Sequence, residues 1–115
     1  MEDCIFCKII NKELNSNIVY EDDKVICFYD IHPAAKVHVL VVPKKHITTL
    51  LDLTKEDELL VGHVYTCINK IANKLGIDKT GFRVIVNCGK DGCQVVGHVH
   101  FHMLGGQELG AKIVR

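Results

Sequence analysis

The 115-residue sequence has no tryptophan, two prolines and only 6% aromatic side chains. So few rings argue against a base-stacking platform of the single-strand-binding kind. Net charge is absent too. Fourteen basic side chains balance fourteen acidic ones, so the basic surplus that non-specific nucleic-acid binding requires is missing. The longest apolar stretch, Val37 to Val42, is interrupted by His38 and falls far short of the ~20 residues that span a bilayer. No membrane partner is expected. The opening Met1-Glu2-Asp3 is acidic, and no apolar run of ~7–15 residues follows it, so a secretory signal is not expected and the cytoplasm is the expected location. The chain also lacks repeats, low-complexity segments, linkers rich in Gly, Pro or Ser, and a Walker-type Gly-Lys-Ser/Thr loop.

What is present is a globular composition, 48% apolar and 24% charged, at a length suited to a single domain over 1–115. A chain this size buries a little over ~60% of its unfolded surface and needs no disulfide framework. The six cysteines (4, 7, 27, 67, 88 and 93) are therefore read as thiols or metal ligands in a reducing compartment. Three of the seven histidines fall within five residues.

Hydrophobic spacing over Cys4–Lys12 predicts a short helix, and Asn15-Ser16-Asn17 ends it. Ile18–Glu21 and Val25–Tyr29 flank Asp22-Asp23-Lys24 as a hairpin, and Val37–Val42 is a β-branched strand stopped by Pro43. Thr54 and Asp57 resemble a capping box opening a long helix. Its buried stripe is Leu60, Val64, Cys67, Ile68, Ile71 and Leu75, and Gly76 is the stop. Strands are expected over Gly81–Asn87 and His98–Leu104, with a glycine-containing loop over Cys88–Val96. The class is α+β with a mainly antiparallel sheet.

His98-Val99-His100-Phe101-His102 alternates polar and apolar with period two. On a strand, all three imidazoles share one face at about 6.5–7 Å spacing, while Val99, Phe101 and Met103 face the long helix. One chemistry for such a row is a three-histidine metal site, although no carboxylate stands nearby to orient the ligands. Another is nucleophilic attack on phosphorus. Imidazole, with an ordinary pKa near ~6.5, is largely neutral at cytosolic pH, and neighbouring rings donate to phosphoryl oxygens or protonate a leaving group. A site of this kind needs no catalytic metal.

His98-Val99-His100-Phe101-His102-Met103-Leu104 resembles the His-φ-His-φ-His-φ-φ signature of the histidine triad (HIT) superfamily. The likeness extends over almost the whole chain, through Ile5-Phe6, Lys8-Ile9-Ile10, Tyr29-Asp30-Ile31, His38, Pro43-Lys44-Lys45-His46, Val86-Asn87, Asp91-Gly92, Gln94 and Leu104-Gly105-Gly106. Its nearest branch is the histidine triad nucleotide-binding proteins. The resemblance implies a HIT-like fold with a five-stranded antiparallel sheet, one long and one short helix, and a homodimer. It further implies a hydrolase or transferase of purine nucleotide conjugates such as adenosine phosphoramidates. By position His100 would be the nucleophile at the α-phosphorus. The carbonyl of His98 would fix its tautomer, and His102 and His38 would bind phosphate oxygens or assist the departing amine. Asp30 would accept the ribose hydroxyls. Phe6, Ile9, Phe28, Tyr29 and Ile31 would wall the purine, Asn87 would reach the leaving group, and the loop of Cys93, Gln94 and Val95 would cradle the phosphate.

Cys4-Ile5-Phe6-Cys7 is half of a zinc site by spacing, or a pair of free thiols on a packed helix. The resemblance supplies the other half, His46 and His98, around a structural Zn²⁺. Cys27 and Cys67 are expected in the core. Cys88 and Cys93 flank the loop with no assigned role, His32 and His63 are expected to be solvated or satisfied locally, and Lys44-Lys45 is expected to be an exposed pair. The sequence also departs from the family. Val95 stands where close relatives carry Ser or Thr, Cys93 where Gly is common and Gly97 where an aromatic is frequent. The tail Gln107–Arg115 lacks a Trp-Pro-Pro-Gly ending. Two alternative readings follow: a nucleotide-binding protein with little catalysis, and a metallohydrolase that uses the triad as ligands.

Overall fold

Asp22 turns the first hairpin. Its Oδ1 accepts the backbone N–H groups of Lys24 and Val25, both at 2.8 Å, and this Asx turn joins strand β1 (Ile18–Glu21) to β2 (Val25–Tyr29). In the computed structural model, which describes residues 3–111, three further strands follow: β3 (Val37–Pro43), β4 (Phe82–Ile85) and β5 (Phe101–Gly105). They form one sheet in the order β1-β2-β3-β5-β4, antiparallel throughout. The expected fold class, α+β with a five-stranded antiparallel sheet, is the observed one.

Alternation along the strands gives the sheet two buried faces. Val25, Cys27, Val39, Val41, Phe101 and Met103 point to one side. There they meet Val64, Cys67, Ile68 and Ile71 of the long helix α2 (Glu58–Leu75). Ile26, Phe28, Leu40 and Val42 point to the other, under Phe6 and Ile9 of the short helix α1 (Ile5–Ile10). Each face therefore buries its own apolar set, and this is why β2 and β3 read as nearly continuous hydrophobic runs. Val99, Phe101 and Met103 face α2 as their spacing requires. No helix among the described residues is long and apolar enough to cross a membrane.

Most element ends differ from the sequence reading by a few residues at most, and three differences bear on the site. Thr54 and Asp57 do pair, with the Asp57 carboxylate accepting the Thr54 N–H at 2.9 Å, but they close a 3₁₀ turn over Lys55–Asp57 and α2 begins only at Glu58. Its end is as expected, at Gly76 with φ +72°, where a side chain would be strained. β4 stops at Ile85 rather than Asn87, and β5 begins at Phe101 rather than His98. The physical reason for the last shift is local. The Val99 N–H bonds to the Ile47 carbonyl and the His98 N–H to Val96, so His98–His100 are held outside the ladder. Residues 112–115 of the tail lie outside the described residues.

Candidate active site

The segment entering β5 carries a chain of directed hydrogen bonds. His98, fully buried, places Nε2 2.8 Å from the carbonyl of Pro43. A carbonyl only accepts, so Nε2 holds the proton and Nδ1 carries a lone pair. The carbonyl of His98 in turn accepts from His100 Nδ1 at 2.7 Å. His100 is thereby fixed with its lone pair on Nε2. The ring of Phe6 packs edge-on against His100, with centroids 5.0 Å apart, and holds its plane.

His38 and His102 make a second chain. The Ala34 N–H donates to His38 Nδ1 at 3.0 Å, so His38 carries its proton on Nε2. That Nε2 lies 3.0 Å from His102 Nδ1, which must accept, leaving His102 a donor at Nε2. The Asp30 Oδ2 lies 3.4 Å from the same His38 nitrogen. Burial holds the pKa values of His38, His98 and His100 below the ordinary imidazole value, Asp30 opposing the effect at His38 and His100. Burial, reinforced by the neighbouring His100 and His38, pushes His102 down to about 4. Near pH 7 these rings are neutral, and the donor and acceptor roles above are those of neutral imidazole.

His100 and His102 line a cavity of about 530 Å³, in the range of small-molecule sites. Phe6, Ile9, Phe28, Tyr29, Asp30 and Ile31 line it too, as do Asn87, Cys93 and Val95. Phe6, Ile9 and Phe28 also belong to the buried cluster under α1, so they serve wall and core together. Asp30 spends Oδ1 on the His32 N–H at 2.7 Å. Gln94 holds its own loop together. Its side chain accepts from Gly89 N–H and donates to the carbonyls of Thr48 and Val96, so it staples the loop and does not line the cavity. Leu14, Asn15, Ser16 and Leu40 also line the cavity and were not expected there. Asn15 and Ser16 carried only a helix-ending signal, and Leu40 only a strand signal.

His98 and His38 do not line the cavity, but each is hydrogen-bonded to a histidine that does. His98 Nδ1 faces away from it, 3.3 Å from Cys4 Sγ and 3.6 Å from Cys7 Sγ, and Cys7 Sγ lies 3.2 Å from His46 Nδ1. All four donor atoms fall within 4.8 Å of one another. With zinc–sulfur and zinc–nitrogen bonds of about 2.3 and 2.05 Å, a tetrahedral site has sulfur–nitrogen edges of about 3.6 Å, close to those observed. The tautomer is also right, because the Pro43 carbonyl has already taken the other nitrogen of His98. Two thiols and two imidazoles in this arrangement fit Zn²⁺.

Elsewhere, Cys27 and Cys67 are buried as expected. Burial pushes the Cys27 thiol up to about 12, so it is protonated and inert. Lys44 and Lys45 are ion-paired with Glu21 and Asp57 rather than free. His63 pairs with Asp22. His32 is exposed at the cavity's edge. Cys88 is half-buried, and Cys93 is exposed with φ +60°, in the left-handed region where Gly is favoured.

Fold and site together define an α+β protein built around hydrogen-bonded imidazoles. The chain belongs to the HIT family, whose HIT domain matches residues 11–109. It is 45% identical over 112 residues to the purine nucleoside phosphoramidase of Escherichia coli K12, covering 97% of this chain and 94% of that one. A solved histidine triad protein from Clostridium difficile superposes with a TM-score of 0.95 at 52% identity, over 97% of both chains. A HIT family hydrolase from Clostridium thermocellum superposes with a TM-score of 0.96 at 46% identity, over 99% of both.

Proposed function

We propose that this protein is a hydrolase of purine nucleotide conjugates, of the adenosine phosphoramidate kind, working through a nucleotidyl-His100 intermediate. The observation that carries the reading is the 2.7 Å bond from His100 Nδ1 to the His98 carbonyl, which leaves the His100 Nε2 lone pair unspent beside the cavity. The name of the Escherichia coli relative supports the substrate class. In this reading Nε2 attacks the α-phosphorus as the phosphorus–nitrogen bond to the amine breaks. The bonding pair leaves on the amine nitrogen, to which His102 Nε2–H donates. Water then attacks phosphorus, the bond to Nε2 breaks, and the water returns a proton to the site. His38 positions His102, and Asp30 is placed to accept ribose hydroxyls at the apolar purine wall. Asn87 would reach the leaving group, and the backbone amides of Cys93 and Val95 would cradle the phosphate.

Zinc at Cys4, Cys7, His46 and His98 is part of the proposal. When bound it supplies structure rather than chemistry, tying α1 to the segment whose carbonyl orients His100. No metal is needed at phosphorus. We also propose a homodimer in the cytoplasm. Its support is that β4 is an edge of the sheet with one side unpaired among the described residues, and that Ile85 on β4 and Tyr65 on α2 are exposed.

A second reading has one observation in its favour. Asp30, His38 and His102 bring ligand atoms within 4.8 Å, as a catalytic metal would require. One experiment separates them: incubate the protein with an adenosine phosphoramidate, quench in acid-free denaturant, and map the adduct by mass spectrometry. A nucleotidyl group on the His100 peptide, with turnover abolished and nucleotide binding kept in His100→Ala, is the expected result. Wild-type turnover in His100→Ala would overturn the assignment. Turnover that needs a metal yet leaves no nucleotidyl adduct on the His100 peptide and persists in His100→Ala would favour the metallohydrolase.

A further inference from the structure

On the opposite face of the sheet from the imidazole chain, three side chains aim at one point. His63 and Cys67, four residues apart on α2, lie on one side of the helix, and Asp22 reaches them from the β1–β2 turn. His63 Nε2 is 2.8 Å from Asp22 Oδ2, Cys67 Sγ is 3.4 Å from His63 Nε2, and Cys67 Sγ is 3.6 Å from Asp22 Oδ2. The arrangement is not a nucleophile triad. One nitrogen of His63 faces both the carboxylate and the thiol, whereas a relay needs a different ring nitrogen for each.

We infer that Asp22, His63 and Cys67 form a second metal site, for a divalent ion of the zinc class, distinct from the cluster at Cys4. The donor set combines carboxylate, imidazole and thiolate, which suits zinc among the common ions. The distances fit as well. A triangle with these edges has a radius of about 1.9 Å, so an ion at bonding distances of about 2.0–2.3 Å sits just out of its plane, as in a tetrahedral site. Asp22 is already oriented, because its Oδ1 takes two backbone N–H groups and the Tyr20 hydroxyl donates to Oδ2 at 2.7 Å. His63, the partly exposed member of the three, also lines a surface cavity of about 620 Å³. Binding is balanced by one proton: Cys67 loses its thiol hydrogen to solvent, and His63 moves its proton to Nδ1 so that Nε2 can ligate. The ion would clamp the first hairpin onto α2.

The test is metal content per chain after equilibrium dialysis against buffered micromolar Zn²⁺, compared between wild type, His63→Ala and Cys67→Ser. Each variant is expected to retain one ion fewer than wild type, whatever the occupancy at Cys4 and Cys7. Co²⁺ supplies a second readout. The thiolate-to-metal absorption of the wild type should fall in Cys67→Ser by one thiolate's share, with the far-ultraviolet spectrum unchanged. Equal metal content in wild type and His63→Ala, a partly exposed helix position whose substitution leaves the core intact, would overturn the site.

Discussion

His38 Nε2 and His102 Nδ1 lie 3.0 Å apart, and the Ala34 N–H behind His38 sets the direction of that bond. One backbone amide therefore decides which nitrogen of His102, two rings away, points a proton into the cavity. Removing the His38 ring should leave the cavity intact but free the His102 ring to turn. The expected outcome for His38→Ala is a kcat lower by roughly 10- to 100-fold, with KM changed far less, as for other substitutions that unfix an imidazole. Steady-state kinetics decide it, and a wild-type kcat would end the positioning role.

The same burial makes a prediction about acid. Folded His102 takes its proton only near pH 4, whereas an imidazole in the unfolded chain takes one near ~6.5. Across that window the unfolded state binds more protons, so stability rises with pH through it. His38, also held low by burial, acts in the same direction. Thermal unfolding should be nearly flat from pH 8 to 7 and should decline as pH falls from about 6.5 towards 4. A His102→Asn variant should show a shallower decline. A wild type more stable at pH 5 than at 7.5 would contradict the account.

In the proposed function, zinc at Cys4, Cys7, His46 and His98 would be linked to activity through a single carbonyl, that of His98. An ion held there at 100 to 1,000 times its dissociation constant contributes about 3–4 kcal/mol, so its removal should lower Tm by about 10 °C or more in a chain of this size. Removal also frees the His98 ring, and with it the carbonyl that orients His100. Strong chelation, or Cys7→Ser, should therefore lower both Tm and kcat, and restoring zinc to the chelated protein should recover both. Unchanged Tm after chelation confirmed by elemental analysis would remove the metal from the account.

Much of the fold could be read from periodicity alone. The stripe from Val64 to Ile71 and the apolar runs of β2 and β3 are set by what each residue must bury, and local pattern records that directly. The start of β5 could not be read this way. His98 to His102 alternate perfectly, yet His98 leaves the ladder because its ring and backbone are claimed by Pro43, Ile47 and the two cysteines, all distant in sequence. The partners of the Gln94 side chain were equally illegible, since its hydrogen bonds go to Thr48, Val96 and Gly89. The convergence of Asp22 on His63 and Cys67 left no local trace, since nothing in the hairpin sequence tells which helix face it will meet.

Val95 supplies the sharpest test of leaving-group preference. It is 90% exposed at the cavity's rim, so its side chain contributes almost nothing to the core, and replacing it should alter stability by no more than about 0.5 kcal/mol. Its isopropyl group offers no hydrogen bond to a departing amine or to the phosphate, although its backbone amide is unaffected by the side chain. Val95→Thr keeps the shape and adds a hydroxyl, and one such bond formed only in the transition state is worth about 0.5–1.5 kcal/mol. The expected outcome is a kcat/KM raised roughly 2- to 10-fold for polar amine leaving groups, and little changed for apolar ones, at an unaltered Tm. Equal gains for both kinds of leaving group, measured across a panel of adenosine phosphoramidates, would show that position 95 does not contact the leaving group.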